Sequence, residues 1–245
     1  MKKLLLIISI FISYNSLCYC QESNDSLNGL VNIKKFNNPP KKKKGLVYKY
    51  KIFQQQNTIY EYFVYTLKKT DSSFYTVCEI YNEDLIKQSE YSYYSDDDYY
   101  KLLSIKTYDS NGEIIKMNTV SPTEMPMKIK NVDSFSFHFT FSGISDHKKI
   151  EIIRDEEIKY DSLFCQVNFK NAKIKSIKRY ATMTSIYKEG NNNEPIKSKW
   201  HTIEWFSKDI GLFKINIYDS SKKIIQKRQL EKIIKYKDWA KLKNN

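Results

Sequence analysis

Apolar and polar residues alternate with a period of two along most of the chain from Gly45 onward. In the first such stretch, Tyr48, Tyr50 and Ile52 alternate with lysines. A period of two places successive side chains on opposite faces of a β-strand. Similar stretches cover residues 59–67, 74–81, 102–108, 113–119, 135–141, 150–158, 163–169, 174–187, 200–206, 212–218 and 224–234. This spacing predicts an all-β domain of about a dozen antiparallel strands in a meander.

Turn residues separate these stretches. Asp109-Ser110-Asn111-Gly112 lies between two of them, and Asn-Gly is a strong hairpin signal. In 205–214, a polar turn is followed by Gly211, one of only six glycines in 245 residues. Glycine tolerates a positive φ, so Gly211 is predicted to occupy a tight backbone position.

Three segments depart from the alternation. Residues 82–100 contain five tyrosines around Asp96-Asp97-Asp98, and residues 120–134 contain two prolines. We expect both to be long loops or short helices over one mouth of the sheet. Residues 230–242 fit a helical stripe as well as a strand, so both alternatives stay open there.

The N-terminus has the order of a secretory signal peptide. Two lysines follow Met1, Leu4 to Ile12 is apolar except for Ser9, and Cys18-Tyr19-Cys20 fits a cleavage site. An apolar run of about nine residues is too short to span a bilayer, which needs roughly 20. We expect cleavage after Cys20, with a lipid anchor as the alternative, and no transmembrane segment in the mature chain.

The remaining chain divides by composition. Residues 21–44 are largely polar, contain two adjacent prolines and end in four lysines, which predicts a disordered linker. Residues 45–236 form the predicted β domain, and residues 237–245 form a basic tail.

The charge is strongly positive. The net charge of +13 includes two lysines of the signal peptide, so the mature chain of 225 residues carries +11. A solvated lysine-rich surface explains this balance, and attraction to an anionic envelope surface is the functional alternative. Nucleic acid is disfavoured as a partner, because export separates the chain from the cell's own pool.

Two cysteines, Cys78 and Cys165, remain after removal of the signal peptide. Both lie between apolar residues in strand patterns. Export permits a disulfide between them, and two separate buried thiols are the alternative.

The sequence contains no recognisable catalytic or metal-binding motif. His138, His147 and His201 lack the spacing of metal ligands, and 96–98 fits a turn tip better than a calcium site. No Gly-x-Ser-x-Gly or phosphate-binding glycine loop is present. We therefore predict a protein that is not an enzyme and holds no metal or cofactor.

A phenylalanine stripe is the best candidate binding surface. Phe135, Phe137, Phe139 and Phe141 alternate with polar residues, so a strand would place all four rings on one face. In a closed sandwich such a stripe is ordinary core, whereas in an open curved sheet it lines a cavity for acyl chains. Trp205 completes the candidate ligand-binding set.

The chain resembles a family of uncharacterised exported bacterial β-proteins. The resemblance rests on a Tyr-x-Tyr first strand after Gly45, on Asp161-Ser162-Leu163-Phe164-Cys165-Gln166-Val167, and on the Trp-Phe-x-x-x-x-Gly-Leu-Phe-Lys turn of 205–214. These proteins are similar in fold to periplasmic lipoprotein carriers of the LolA and LolB type. The resemblance implies a single antiparallel sheet curled into a half-barrel.

These observations predict an exported, non-catalytic binding protein of the bacterial envelope, periplasmic or at the cell surface. Its expected ligand is apolar or amphipathic, such as a lipid or a lipoprotein. The alternative is a module that uses its tyrosine-rich loops to bind a protein or glycan.

Overall fold

The structure is a computed structural model that describes residues 30–32, 45–69, 74–95, 99–108, 114–119, 124–126, 128–130, 134–145, 148–170, 172–189, 194–207 and 210–244. Strands dominate these residues. In chain order they are β1 Leu30–Asn32, β2 Leu46–Gln54, β3 Asn57–Lys69, β4 Phe74–Tyr81, β5 Lys87–Ser95, β6 Tyr99–Tyr108, β7 Ile114–Thr119, β8 Glu124–Pro126, β9 Lys128–Lys130, β10 Ser134–Ser145, β11 Lys148–Phe169, β12 Ala172–Glu189, β13 Ile196–Ser207, β14 Gly211–Asp219 and β15 Ile224–Lys235. One helix, α1, follows at Tyr236–Asn244.

Thirteen of these strands form one antiparallel sheet. Its order is β5-β4-β3-β2-β15-β14-β13-β12-β11-β10-β7-β6-β8, and β5 also pairs with β6. Apart from the pairing of β15 with β2, the long strands lie beside their sequence neighbours, so the sheet is a meander. Pairing of β5 with β6 requires the sheet to curl. The predicted all-β fold, a single antiparallel meander curled as in a half-barrel, is confirmed.

The shortest described register within the sheet is that between β7 and β10. In the part of the chain that the structure describes, these strands share two residue pairs, Phe141 with Thr119 and Ser142 with Asn118. On its other side β10 pairs with β11 over its whole length, from Ser134 to Ser145. We call the β7–β10 contact the thin seam, because it has so few described register pairs.

The sequence analysis misjudged one irregular segment and one strand boundary. Residues 82–100, expected to be a loop or short helices, contain β5 and the start of β6. Residues 89–93 are all buried there, and Tyr91 and Tyr93 take the core positions that aliphatic residues occupy in other strands. The two stretches 150–158 and 163–169 form one strand, β11, whose register shifts between Tyr160 and Cys165 absorb the polar interruption.

Part of the predicted linker is also a strand. Leu30–Asn32 in β1 pairs with Lys128–Lys130 in β9 as a separate two-stranded sheet. This strand departs from the disordered linker predicted for 21–44; the other residues of that range up to 44, the signal peptide 1–20 and the acidic run 96–98 lie outside the described residues.

The main core lies on the inner face of the curled sheet. Within β13 the burial pattern alternates from Trp200 to Phe206, with Trp200, Thr202, Glu204 and Phe206 buried. Inner residues from opposite parts of the sheet meet: the Tyr50 hydroxyl in β2 donates a 2.8 Å hydrogen bond to the carbonyl oxygen of Leu212 in β14. The interior is therefore packed by side chains from both arms of the sheet.

A smaller core lies on the outer face under α1. Trp239 is buried with Val47, Val64 and Ile234, and its ring lies 4.8 Å from that of Tyr62. The described part of the predicted basic tail, residues 237–244 of 237–245, therefore belongs to a docked helix. Its one aromatic residue, rather than its lysines, decides this, because burial of an indole ring is strongly favourable.

Two glycines meet requirements of the backbone. Gly211 has a φ of 80°, as its position after a polar turn predicted. At Gly45, a Cβ atom would lie 1.3 Å from the carbonyl oxygen of Tyr65. No other residue fits there without moving β3.

The cysteine prediction stays a prediction. Cys78 is fully buried in β4. The backbone of Cys165 lies in β11, opposite Ser176, but its thiol lies outside the described side chains. Strands β4 and β11 are not neighbours in the sheet, so a bond would have to cross the interior.

Candidate functional site

Among the described residues, six charged side chains lie inside the curled sheet. They belong to five strands and form three arginine–glutamate contacts, and we call them the interior ion cluster: Glu61, Arg154, Glu156, Arg179, Glu204 and Arg228. All are at least nine-tenths buried. Burial of charge costs free energy unless the charges are paired, which explains the equal numbers of the two signs.

Arg179 and Glu204 form the most enclosed pair. They are direct cross-strand partners on β12 and β13, and both are fully buried. Arg179 Nε donates to Glu204 Oε2 at 2.7 Å, and the Thr202 hydroxyl donates to Glu204 Oε1 at 3.2 Å. Burial raises the pKa of Glu204, and the neighbouring Glu156 adds to the rise, although Arg179 opposes it.

The other two pairs lie on either side of it. Arg228 Nη2 in β15 lies 2.8 Å from Glu61 Oε2 in β3. Arg154 Nη2 donates to Glu156 Oε2 at 3.2 Å, both on β11. Burial raises the pKa of Glu61, against the opposing effect of Arg228.

The pairs are close enough to influence shared neighbours. Tyr91 in β5 is fully buried, and burial raises the pKa of its hydroxyl. Arg154 and Glu61 both act on this hydroxyl electrostatically, in opposite directions. The cluster thus extends across the interior from β11 to β3 and β5.

Aromatic rings surround the charges. The guanidinium carbon of Arg179 lies 5.5 Å from the ring centre of Phe206, and that of Arg228 lies 5.2 Å from Phe63. Stacking of this kind suits arginine, whose planar, weakly hydrated guanidinium tolerates apolar surroundings.

One cross-strand row connects the cluster to the phenylalanine stripe. The backbone register pairs Phe137 with Glu156, Glu156 with Met183, and Met183 with Trp200. The buried indole N–H of Trp200 has no hydrogen-bond partner among the described residues. The row therefore combines a charge, a thioether and an indole donor beside β10.

The predicted site residues separate into two groups. The backbone of Phe135, Phe137, Phe139 and Phe141 lies in β10 opposite the buried Ile158, Glu156, Arg154 and Ile152. The four rings lie outside the described side chains, so their role as core or cavity stays a prediction. Trp205 does not join them. It is half-buried at an outward position between the buried Glu204 and Phe206.

Two of the five tyrosines in the tyrosine-rich segment lie in the core. Tyr91 and Tyr93 belong to β5, with 0% and 3% of their surface exposed. The side chains of Tyr99 and Tyr100 lie outside the described residues, so the alternative function through tyrosine-rich loops loses two of its residues and stays a prediction.

Two of the three histidines have local partners, and His147 lies outside the described residues. His138 Nδ1 lies 2.7 Å from Asp155 Oδ1 on the exposed face, and His201 Nδ1 lies 3.0 Å from the Thr182 hydroxyl. Within the described ranges, no group of three or more histidine, cysteine or acidic side chains is arranged to hold a metal ion. No described helix is long and apolar enough to cross a membrane.

Sequence reasoning missed the interior ion cluster, although a signal for it exists. Arg179 is in phase with Ile177, Ala181 and Met183 along β12, all of them buried. A charged residue that alternates in step with apolar residues along a strand is expected to lie on the buried face. The partner cannot be found this way, because pairing depends on the register.

Comparisons with known proteins give limited information. No family model matches the chain, and no curated protein matches its sequence. A protein from Bacteroides fragilis NCTC 9343, named as exported and as having a YmcC-like fold, is similar in structure, with 11% identity and a TM-score of 0.43 over 78% of this chain and 96% of that one. A protein from Parabacteroides distasonis ATCC 8503, named as a lipoprotein, has 10% identity and a TM-score of 0.43 over 78% and 95%.

The hypothetical lipoprotein YmcC from Escherichia coli K12 has 10% identity and a TM-score of 0.37 over 79% of this chain and 89% of that one. Similarity at this level supports no conclusion about the role of the present chain. The predicted likeness to carriers of the LolA and LolB type stays a prediction.

Proposed function

We propose that this chain is an exported, non-catalytic binding protein that takes an amphipathic, lipid-like ligand into its curled sheet. The observation that carries the proposal is the interior ion cluster beside β10. A buried ion pair is on average no more stabilising than apolar residues of the same size. Three such pairs in one interior therefore favour a role in binding over a role in stability.

The position of the cluster matches a ligand with two chemically different ends. Arg154 and Glu156 lie opposite Phe139 and Phe137 in the register of β10 and β11. A carboxylate or phosphate head group suits Arg154 and the Trp200 indole N–H, since both are donors. The acyl chain would then extend along the phenylalanine stripe.

Access to this site requires a movement. The charges are almost fully buried, with Arg154 only 2% exposed. The thin seam lies on the other edge of β10, where two residue pairs hold the strands together. Among the described strand pairings of the sheet, β7 with β10 has the fewest register pairs, so separation of these two strands is the proposed route for the ligand.

Titration with a fluorescent fatty acid tests the proposal. The exported wild-type protein should bind it saturably. The double substitution Arg154→Met, Glu156→Leu should weaken binding by about tenfold or more, since a hydrogen bond to a charged group is worth about 1.5–3 kcal/mol. The matched control, Lys188→Met with Glu151→Leu, removes an outer pair of the same net charge and should change affinity less than about twofold.

The substitution Phe137→Ala distinguishes a ligand cavity from ordinary core. If the Phe137 ring lines a cavity, its removal should weaken fatty-acid binding and lower the free energy of unfolding only slightly. In packed core the loss should be about 3–5 kcal/mol. Such a loss, together with an absence of fatty-acid binding by the wild-type protein, would contradict the proposed function.

A further inference from the structure

The outward face of β12–β15 carries lysines and aromatic residues in cross-strand rows. In one row Lys178, Trp205 and Lys214 are register partners. In the next row Tyr180 pairs with Ile203, and Asn216 connects Ile203 to Lys227. We define the basic outer patch as Lys178, Tyr180, Ile203, Trp205, Lys214 and Lys227.

Contacts within the patch place lysine ammonium groups near aromatic rings. Lys214 Nζ lies 4.6 Å from the centre of the Trp205 ring, and Lys178 Nζ lies 4.6 Å from that of Tyr180. Trp205 and Tyr180 are half-buried, and Lys227 is exposed. The patch therefore presents ring faces and ammonium groups together at one surface.

No carboxylate of these four strands neutralises the patch. Their acidic residues are Glu189, Glu204, Asp219 and Glu231. Glu204 is buried, Glu189 and Asp219 end their strands, and Glu231 contacts Lys49 at 2.6 Å. Lys214 and Lys227 have no carboxylate partner among the described residues.

On other parts of the sheet, acidic residues lie among the basic ones. On the neighbouring β11, the outward positions include Glu151, Asp155 and Glu157. Around β5 and β6, Glu79 and Glu90 contact Lys87 and Lys106. Lys214 and Lys227 differ from these lysines, because no described carboxylate contacts either of them.

We propose that the basic outer patch docks the protein on an anionic phospholipid surface. Tyrosine and tryptophan favour the boundary between apolar and aqueous phases, and lysines near an anionic bilayer are attracted to it. The outer side of a curled sheet meets a flat surface along a few neighbouring strands, and the patch occupies four consecutive ones. Docking by this face is independent of the ligand proposed for the interior.

Co-sedimentation with vesicles tests docking. The exported protein should sediment with phosphatidylcholine vesicles that contain phosphatidylglycerol, and not with pure phosphatidylcholine. Binding should weaken as salt rises, because exposed charges are screened. Lys214→Glu with Lys227→Glu should weaken it by at least about tenfold. The control, Lys237→Glu with Lys241→Glu, makes the same charge change on exposed positions of α1 and should have an effect below about twofold.

Trp205 supplies a second measurement. Brominated phosphatidylglycerol vesicles should quench tryptophan emission, and Trp205→Phe should abolish most of the quenching. The other two tryptophans, Trp200 and Trp239, are 5% and 2% exposed, so lipid cannot reach them directly.

Several results would overturn the proposal. Equal binding to neutral vesicles would assign attachment to the N-terminal segment or an anchor. If the Lys237→Glu, Lys241→Glu control lost as much vesicle binding as the Lys214→Glu, Lys227→Glu variant, binding would depend on net charge and not on the patch. Binding to soluble polygalacturonate without binding to vesicles would assign the patch to an acidic polysaccharide. These results would not contradict the proposed function as long as the Lys214→Glu, Lys227→Glu variant still binds fatty acid.

Discussion

At the scale of single residues, the buried pair of Arg179 and Glu204 tests how charge is tolerated in this interior. Arg179→Ala should destabilise the protein by about 3–5 kcal/mol, because it leaves Glu204 buried beside no cation. The double substitution Arg179→Met, Glu204→Leu should cost much less, since both charges leave together. Urea denaturation of the three variants measures the coupling. A double variant as unstable as Arg179→Ala would contradict this account.

The free energy of unfolding is expected to depend on pH through Glu90. Burial alone would raise the pKa of Glu90, but hydrogen bonds from Lys106 and Lys87 outweigh it and lower the pKa to about 2. Because the folded-state pKa lies below the unfolded one, the ionised group stabilises the fold above about pH 4.5. This contribution is lost as pH falls from there towards 2.

Denaturation curves between pH 2 and pH 7 measure that dependence. Glu90→Gln should remove part of the acid-induced loss of stability while lowering stability at neutral pH. Glu157→Gln, an exposed position on β11, is the control and should leave the pH profile unchanged. A profile that Glu90→Gln does not flatten would show that other carboxylates dominate.

At the scale of elements, α1 depends on one ring. Trp239 contacts Tyr62 and Tyr81, and Lys243 Nζ donates to the Tyr81 hydroxyl at 3.1 Å. Trp239→Ala should cost about 3–5 kcal/mol or release the helix locally. Hydrogen exchange of residues 236–244 distinguishes the two. Protection equal to wild type would rule out docking through Trp239, and Leu242→Ala, at an exposed position of the helix, should have little effect.

The thin seam is the second prediction at this scale. Asn118 and Ser142 are register partners, and antiparallel partners lie about 4.5–5.5 Å apart at Cα, within disulfide range. The oxidised Asn118→Cys, Ser142→Cys protein should take up fluorescent fatty acid at least about tenfold more slowly, and reduction should restore uptake.

A cross-link on the other edge of β10 is the matched control. Ile144→Cys with Lys149→Cys joins β10 to β11 and leaves the seam free, so uptake should stay near that of the wild type. Equal rates for the seam cross-link and the control would exclude the seam as the route.

At the scale of the whole molecule, the first prediction is the mature N-terminus. The signal order of residues 1–20 predicts a chain that begins at Gln21 and carries a net charge of +11. Intact mass and N-terminal sequencing of the exported protein measure this. A chain that retains Met1, or a diacylated Cys20, would contradict it.

The whole sheet separates two kinds of chemistry between its faces. The inner face holds paired charges among aromatic rings, as with Arg179 beside Phe206. The outer face of β12–β15 holds lysines on aromatic rings, as with Lys214 on Trp205. One strand, β13, supplies both faces, because successive side chains alternate.

The sequence by itself determined the strands and their connection. Alternation at 200–206 and 212–218, a turn before Gly211 and short spacing between stretches are local properties, and they led to the meander without knowledge of contacts. The same local reasoning failed at residues 82–100, because tyrosine and serine in alternation were taken for loop composition.

Only the tertiary structure decided which residues meet. Arg228 and Glu61 are 167 positions apart, and they contact because β15 pairs with β2 and β2 with β3. A shift of one residue in any register would move these side chains to the other face. Trp205, predicted as a ligand residue, faces outward, while Trp200 of the same strand faces inward. Packing against the opposite arm of the sheet decides which residues of β13 face inward. Periodicity reveals that two faces exist, but the choice of inner face and cross-strand partners depends on contacts distant in the chain.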